Sequence, residues 1–161
     1  MPEMTLLGWF HTVLGVLAVL SGFYTLYKYR VISYDVGPGK FYILVTLLVA
    51  GSALGIYNQG GFGVAHILAV LTLIALAGGY IMERYKWFGS FSKYFQALGY
   101  TTTLLFHMIP AITDFLRRLP VGDTFIESFE DPLLLNFHLA FLVIYLVGII
   151  AQMIWLKRQV T

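Results

Sequence analysis

The chain has 161 residues, 59% hydrophobic and 11% charged, with a mean hydropathy of +0.81 and a net charge of +2. An average soluble domain carries roughly 25% charged residues, so this composition belongs to an integral membrane protein. There is no cysteine, which excludes disulfides, thiolate metal sites, covalently attached haem and iron–sulfur clusters, and no basic surface suited to nucleic acid.

The apolar runs do not alternate as membrane β-strands do and are long enough for helices. The expected fold is all-α: one domain over residues 1–161, a bundle of five transmembrane helices in the lipid bilayer. Segment one covers residues 5–27. It lacks the basic leader and small-residue cleavage site of a signal peptide, so it reads as a retained helix. Gly8, Gly15 and Gly22 recur every seven residues, and His11, Gly15, Ala18 and Gly22 share one face that admits a packed helix or a flat ligand.

A basic loop with the turn-forming Gly37-Pro38-Gly39 leads to segment two, residues 41–57, in which Gly51 and Gly55 make a GxxxG packing signal. Asn58-Gln59-Gly60-Gly61 reads as a tight turn into segment three, residues 62–82. Glu83 beside Arg84 then reads as an interfacial ion pair. Segment four, residues 94–115, carries a polar stripe of Gln96, Tyr100, Thr103, His107 and Asp114 at helical spacing, with Pro110 expected to kink it. An acidic loop from Leu116 to Asp131 ends at Pro132, which suits the start of segment five, residues 132–156. There His138, Tyr145 and Gln152 lie one heptad apart.

Lys28, Arg30, Lys40, Arg84, Lys86, Lys93, Lys157 and Arg158 fall on one side of this topology, and only Arg117 and Arg118 on the other. The positive-inside rule places the N-terminus outside and the C-terminus in the cytoplasm of a bacterial inner membrane. All four histidines, His11, His66, His107 and His138, then lie roughly 6–12 Å below the outer boundary at 1.5 Å rise per residue. Imidazoles in lipid need partners, so one shallow layer on four helices marks a site.

Three chemistries suit such a layer. Two imidazoles can hold a b-type haem for electron transfer, with the other histidines, Tyr100 or Tyr145 binding propionates or a quinone headgroup. Alternatively three or four imidazoles bind copper or zinc, with Asp114, Glu127 or Asp131 as an outer partner, as in an assembly factor or accessory subunit. A His and Asp relay for protons or a solute is the third. Against all three stands a structural membrane subunit, a homo-oligomer or part of a larger complex, whose histidines bond neighbouring helices. The expectation favours haem b in a membrane oxidoreductase with a redox partner.

Three stretches, FHTVLGVLAVLSG (10–22), GKFYILVTLLVAGSALGIY with FGVAHILAVLTLIALAGGY (39–57 and 62–80), and YFQALGYTTTLLFHMIPAITDFLRRLP (94–120), resemble an uncharacterised family of small bacterial multi-span membrane proteins. The arrangement is also similar in general terms to small membrane b-type cytochromes. The family pattern implies a further histidine before Gly39 and another near Lys93 or Gln96, both on the cytoplasmic side. This sequence has neither, which implies that only an outer site is kept.

Overall fold

The computed structural model describes residues 5–57 and 61–159. Among them the chain forms no strand and five α-helices: α1 (Leu6–Tyr29), α2 (Gly37–Ala53), α3 (Val64–Tyr85), α4 (Ser92–Arg118) and α5 (Pro132–Arg158), with a 3₁₀ turn, Gly89–Phe91, leading into α4. The all-α expectation holds. Asn58, Gln59 and Gly60 of the expected tight turn lie outside the described residues.

Three helices, α1, α3 and α5, are long and apolar enough to cross a membrane. In α1 and α5 only 17% of the apolar window is buried by the rest of the protein, so most of the Leu, Val, Ile and Phe side chains there face outward, as lipid-facing surfaces do. At 17 residues α2 is about 26 Å long, short of a bilayer core of roughly 30 Å. The 27-residue α4 has the length but carries the polar stripe.

Consecutive helices pack on one another, and α1 also touches α4. His11, near the start of α1, meets Ser52, near the end of α2, so this pair runs antiparallel. Ala18, Tyr42, Val45, Val49, Leu76, Tyr100 and Leu104 from four helices close one core, into which Ile32 of the α1–α2 loop also packs. Helix α5 rests against α4.

Two local expectations change. Gly37-Pro38-Gly39 is the first turn of α2 rather than a loop: proline near N1 gives up an N–H that would be unpaired there anyway. Gly39 lies directly against the Ser33 backbone, where no Cβ fits. The helix accordingly ends one turn early, at Ala53. Gly55 therefore lies beyond it, meeting Leu7, and Gly51 has open space beside it, so GxxxG is not a helix-packing pair here. At the other end of the chain Pro132 does start α5, capped by Asp131, whose Oδ1 accepts from Leu133 N–H at 2.8 Å. Helix α4 runs unbroken through Pro110 to Arg118.

The α1–α2 loop is drawn into the bundle. Arg30 leaves α1 in a left-handed cap (φ 67°), and Ile32 is fully buried. The exposed carbonyls are met from other helices: Gln152 Nε2 donates to Arg30 O at 2.8 Å and Gln96 Nε2 to Ile32 O at 3.2 Å. Glu83 is no ion pair with Arg84. Its Oε1 accepts from Ser33 Oγ at 2.5 Å and Tyr34 N–H at 2.8 Å, and its Oε2 from Tyr100 Oη at 2.8 Å. Three donors converging on one carboxylate offset its burial better than a mobile surface cation.

Candidate functional site: the histidine end of the bundle

The four histidines do sit toward one end, where α1, α3 and α5 begin and α4 nears its close. Their partners separate them. Among the described residues no three His, Asp or Glu side chains stand close enough to hold a metal ion. A single centre built from His11, His66, His107, His138 and Asp114 is therefore absent from this arrangement, because each side chain is drawn to its own helix neighbour.

His11, half-buried on α1, places Nδ1 3.2 Å from Val49 O and 3.1 Å from Ser52 Oγ. A carbonyl only accepts, and Ser52 Oγ already donates to Val49 O at 2.9 Å, so the proton sits on Nδ1 and Nε2 is a free base. His66 is reversed. The Gly63 N–H donates to its Nδ1 at 3.1 Å, which puts the ring proton on Nε2. That Nε2 is buried with no hydrogen-bond partner, and the ring lies between Tyr57 and Phe62 with centroids 4.7 and 5.0 Å away.

His107 is the buried one of α4, 7% exposed, its Nε2 3.1 Å from Thr46 Oγ1 on α2 and its ring edge-on to Tyr42. His138 on α5 places Nε2 3.2 Å from Thr113 Oγ1. Thr113 already donates to Ile109 O, so His138 donates to it. Tyr145 and Gln152, on the same α5 face, likewise meet α4 threonines: Tyr145 Oη lies 2.7 Å from Thr102 Oγ1, and Thr101 Oγ1 donates to Gln152 Oε1 at 2.9 Å. The heptad row on α5 is thus a zipper onto α4. Tyr100 points away from the histidines, toward Glu83. Asp114 is exposed and pairs with Arg118 at 3.5 Å, while Arg117 stacks 3.8 Å over Phe129. Glu127 and Asp131 take no part in the histidine contacts.

What the arrangement brings together is His11 and His107. Both hang from one face of α2, on Thr46, Val49 and Ser52, and His11 lies within electrostatic range of both His107 and Asp114. Sequence reasoning named both imidazoles and missed what holds them. The signal was there: Tyr42, Thr46, Val49 and Ser52 follow 3.6-residue spacing on an otherwise apolar segment.

Only His11 presents a free Nε2; His66 carries its proton there, and those of His107 and His138 are engaged by threonines. On the glycine face of α1, Gly22 is filled, since a Cβ there would stand 2.8 Å from the Tyr42 ring and 3.0 Å from Leu104, while Gly15 has nothing within 4 Å.

The chain matches no family model, no curated protein and no solved structure.

Proposed function

We propose that this is a five-span protein of the bacterial inner membrane, with its N-terminus outside, that binds and passes on protons through His11 and His107 near the outer face. The one-sided distribution of Lys and Arg supports the orientation. The observation that carries the reading is the seating of the two imidazoles. They occupy a membrane-length bundle, each bonded to a hydroxyl or carbonyl of α2, with the exposed Asp114 carboxylate in range of His11. Ionisable groups at such depth accompany ion or proton paths, and imidazole is the side chain able to load and release a proton at ordinary pH.

The test is proton flux into phospholipid vesicles containing the purified protein, driven by a potassium diffusion potential and read with an entrapped pH dye. Wild type should acidify the lumen faster than protein-free vesicles, with His107→Ala and His11→Ala each removing the excess. Flux indistinguishable from empty vesicles would overturn the reading.

A second reading rests on His11 alone. An imidazole with Nδ1–H held by a backbone carbonyl and Nε2 free is the usual posture of a metal or haem ligand. A visible spectrum before and after dithionite, with copper and zinc analysis, tests it. A Soret band or stoichiometric metal lost in His11→Ala would favour it.

A further inference from the structure

At the Lys- and Arg-rich end of the bundle, away from the histidines, a cavity of about 430 Å³ lies between the end of α3 and the α1–α2 loop. Its volume falls within the roughly 300–1,000 Å³ usual for small-molecule sites. Tyr34 and Tyr80 form an aromatic wall, edge to face with ring centroids 5.6 Å apart. The loop side is fixed before any ligand arrives. Gln152 and Gln96 hold the Arg30 and Ile32 carbonyls, and Ser33 Oγ and Tyr34 N–H both donate to Glu83 Oε1. Asp35 N–H in turn donates to Ser33 Oγ at 3.1 Å. Tyr34 and Asp35 therefore stand against α3 on a pinned turn, which lowers the ordering cost of binding.

Four charged side chains line this cavity, Asp35, Glu83, Arg84 and Lys86, and none pairs with another. Glu83 is half-buried and bonded by three neutral donors. Asp35 is exposed, in electrostatic range of the Tyr100 hydroxyl that Glu83 also meets, so the two carboxylates make one side of the cavity negative. Consecutive residues on a helix do not face each other, which keeps Arg84 off Glu83. Lys86 leaves the helix in a left-handed cap (φ 51°), and Lys40 nearby is taken up by the Tyr34 ring, 5.0 Å from its centroid. A simple anion would meet Asp35 and Glu83 here, and a simple cation would meet Arg84 and Lys86. Charges of both signs held apart suit a ligand that carries both. Tyr85, Trp87 and Phe88, beside the mouth, are each more than half exposed, as aromatic anchors at headgroup depth are.

We infer that this cavity binds a headgroup-sized zwitterion, a phosphate joined to a primary ammonium, as in phosphatidylethanolamine or free phosphoethanolamine. Arg84 and Lys86 take the phosphate oxygens, Arg84 through its fork of N–H donors. The Asp35 carboxylate accepts from the ammonium, with the Glu83 charge behind it. Basic residues at a membrane surface ordinarily favour anionic lipids. Asp35 and Glu83 reverse that preference at this site.

Native mass spectrometry of the delipidated protein in detergent, titrated with equal amounts of phosphatidylethanolamine and phosphatidylglycerol, tests this. Wild type should hold one phosphatidylethanolamine about fivefold more tightly than phosphatidylglycerol, the upper worth of one exposed ion pair. Asp35→Asn should remove that preference. Its contact with Ser33 is made by the backbone N–H, so the variant keeps the turn. Arg84→Gln with Lys86→Gln should weaken both lipids, while Lys157→Gln, at the same end but outside the cavity, leaves both unchanged. Soluble phosphoethanolamine that displaces the lipid would assign the site to the headgroup whichever molecule carries it. Failure to displace, with the preference intact, would assign it to the lipid. Phosphatidylglycerol bound equally or more tightly, or a preference that survives Asp35→Asn, would overturn the inference.

Discussion

Thr46 shows how much one hydroxyl can decide. It is fully buried, bonded to His107 Nε2 and beside Tyr42 Oη, so Thr46→Val leaves the buried His107 nitrogen without its hydrogen-bond partner. Such a loss costs about 1–3 kcal/mol in water-soluble proteins and about 1–2 kcal/mol in model membrane helices. Thr113→Val, whose partner His138 is only half-buried, should cost about 0.6 kcal/mol, near the membrane-protein average. Unfolding by SDS titration in mixed micelles should rank Thr46→Val clearly below Thr113→Val in stability. Equal midpoints would mean that His107 finds another acceptor. The threonines were legible as a helical row, but a row does not say which histidine meets which threonine; that depends on how α2 and α5 are rotated against α4.

Among the elements, the glycines separate packing from mere permissiveness. Gly15 has nothing within 4 Å of an added Cβ, so Gly15→Ala should stabilise α1 by about 0.5–1 kcal/mol through helix propensity. Gly79→Ala collides with the Tyr100 ring, an overpacking that costs about 1–3 kcal/mol. Gly39→Ala meets the Ser33 backbone, which cannot swing aside as a side chain can, and should be the most damaging of the three. Thermal unfolding in detergent should give the order Gly15→Ala above wild type, then Gly79→Ala, then Gly39→Ala. From spacing alone Gly8, Gly15 and Gly22 looked equivalent. Only the packing shows Gly22 under Tyr42 and Gly15 in the open. Likewise the shift of α2 by one turn came from Pro38, which reads as a loop former in isolation and as an N1 residue once Gly39 docks on Ser33.

At the scale of the molecule, three helices carry enough apolar length to cross a bilayer, and α2 and α4 are flanked by them in an alternating bundle. Because the chain lacks cysteine, single cysteines can report sidedness directly. With the N-terminus outside, Asp123→Cys should react with a membrane-impermeant maleimide on intact spheroplasts, and Lys40→Cys and Lys86→Cys only after permeabilisation. The reverse pattern would invert the proposed orientation, with the histidines on the inner side. Labelling of all three from one side would rule out five spans.

Hydropathy by itself determined the helical class, the number of segments and most of their ends, because burying a backbone in lipid leaves a long apolar sequence few alternatives to a helix. It also located the histidines at one end, since their depth follows from rise per residue once direction is set. It had no means of deciding whether they meet. His66 turned to its own helix start, His138 to Thr113, and His11 and His107 to α2, because hydrogen-bond partners depend on helix rotation and register, to which composition is blind. Glu83 is the clearest case. In sequence it stands next to Arg84 and suggests an ion pair. In the fold the α1–α2 loop and Tyr100 supply three donors, and short bonds to a half-buried carboxylate outweigh an exposed cation screened by water.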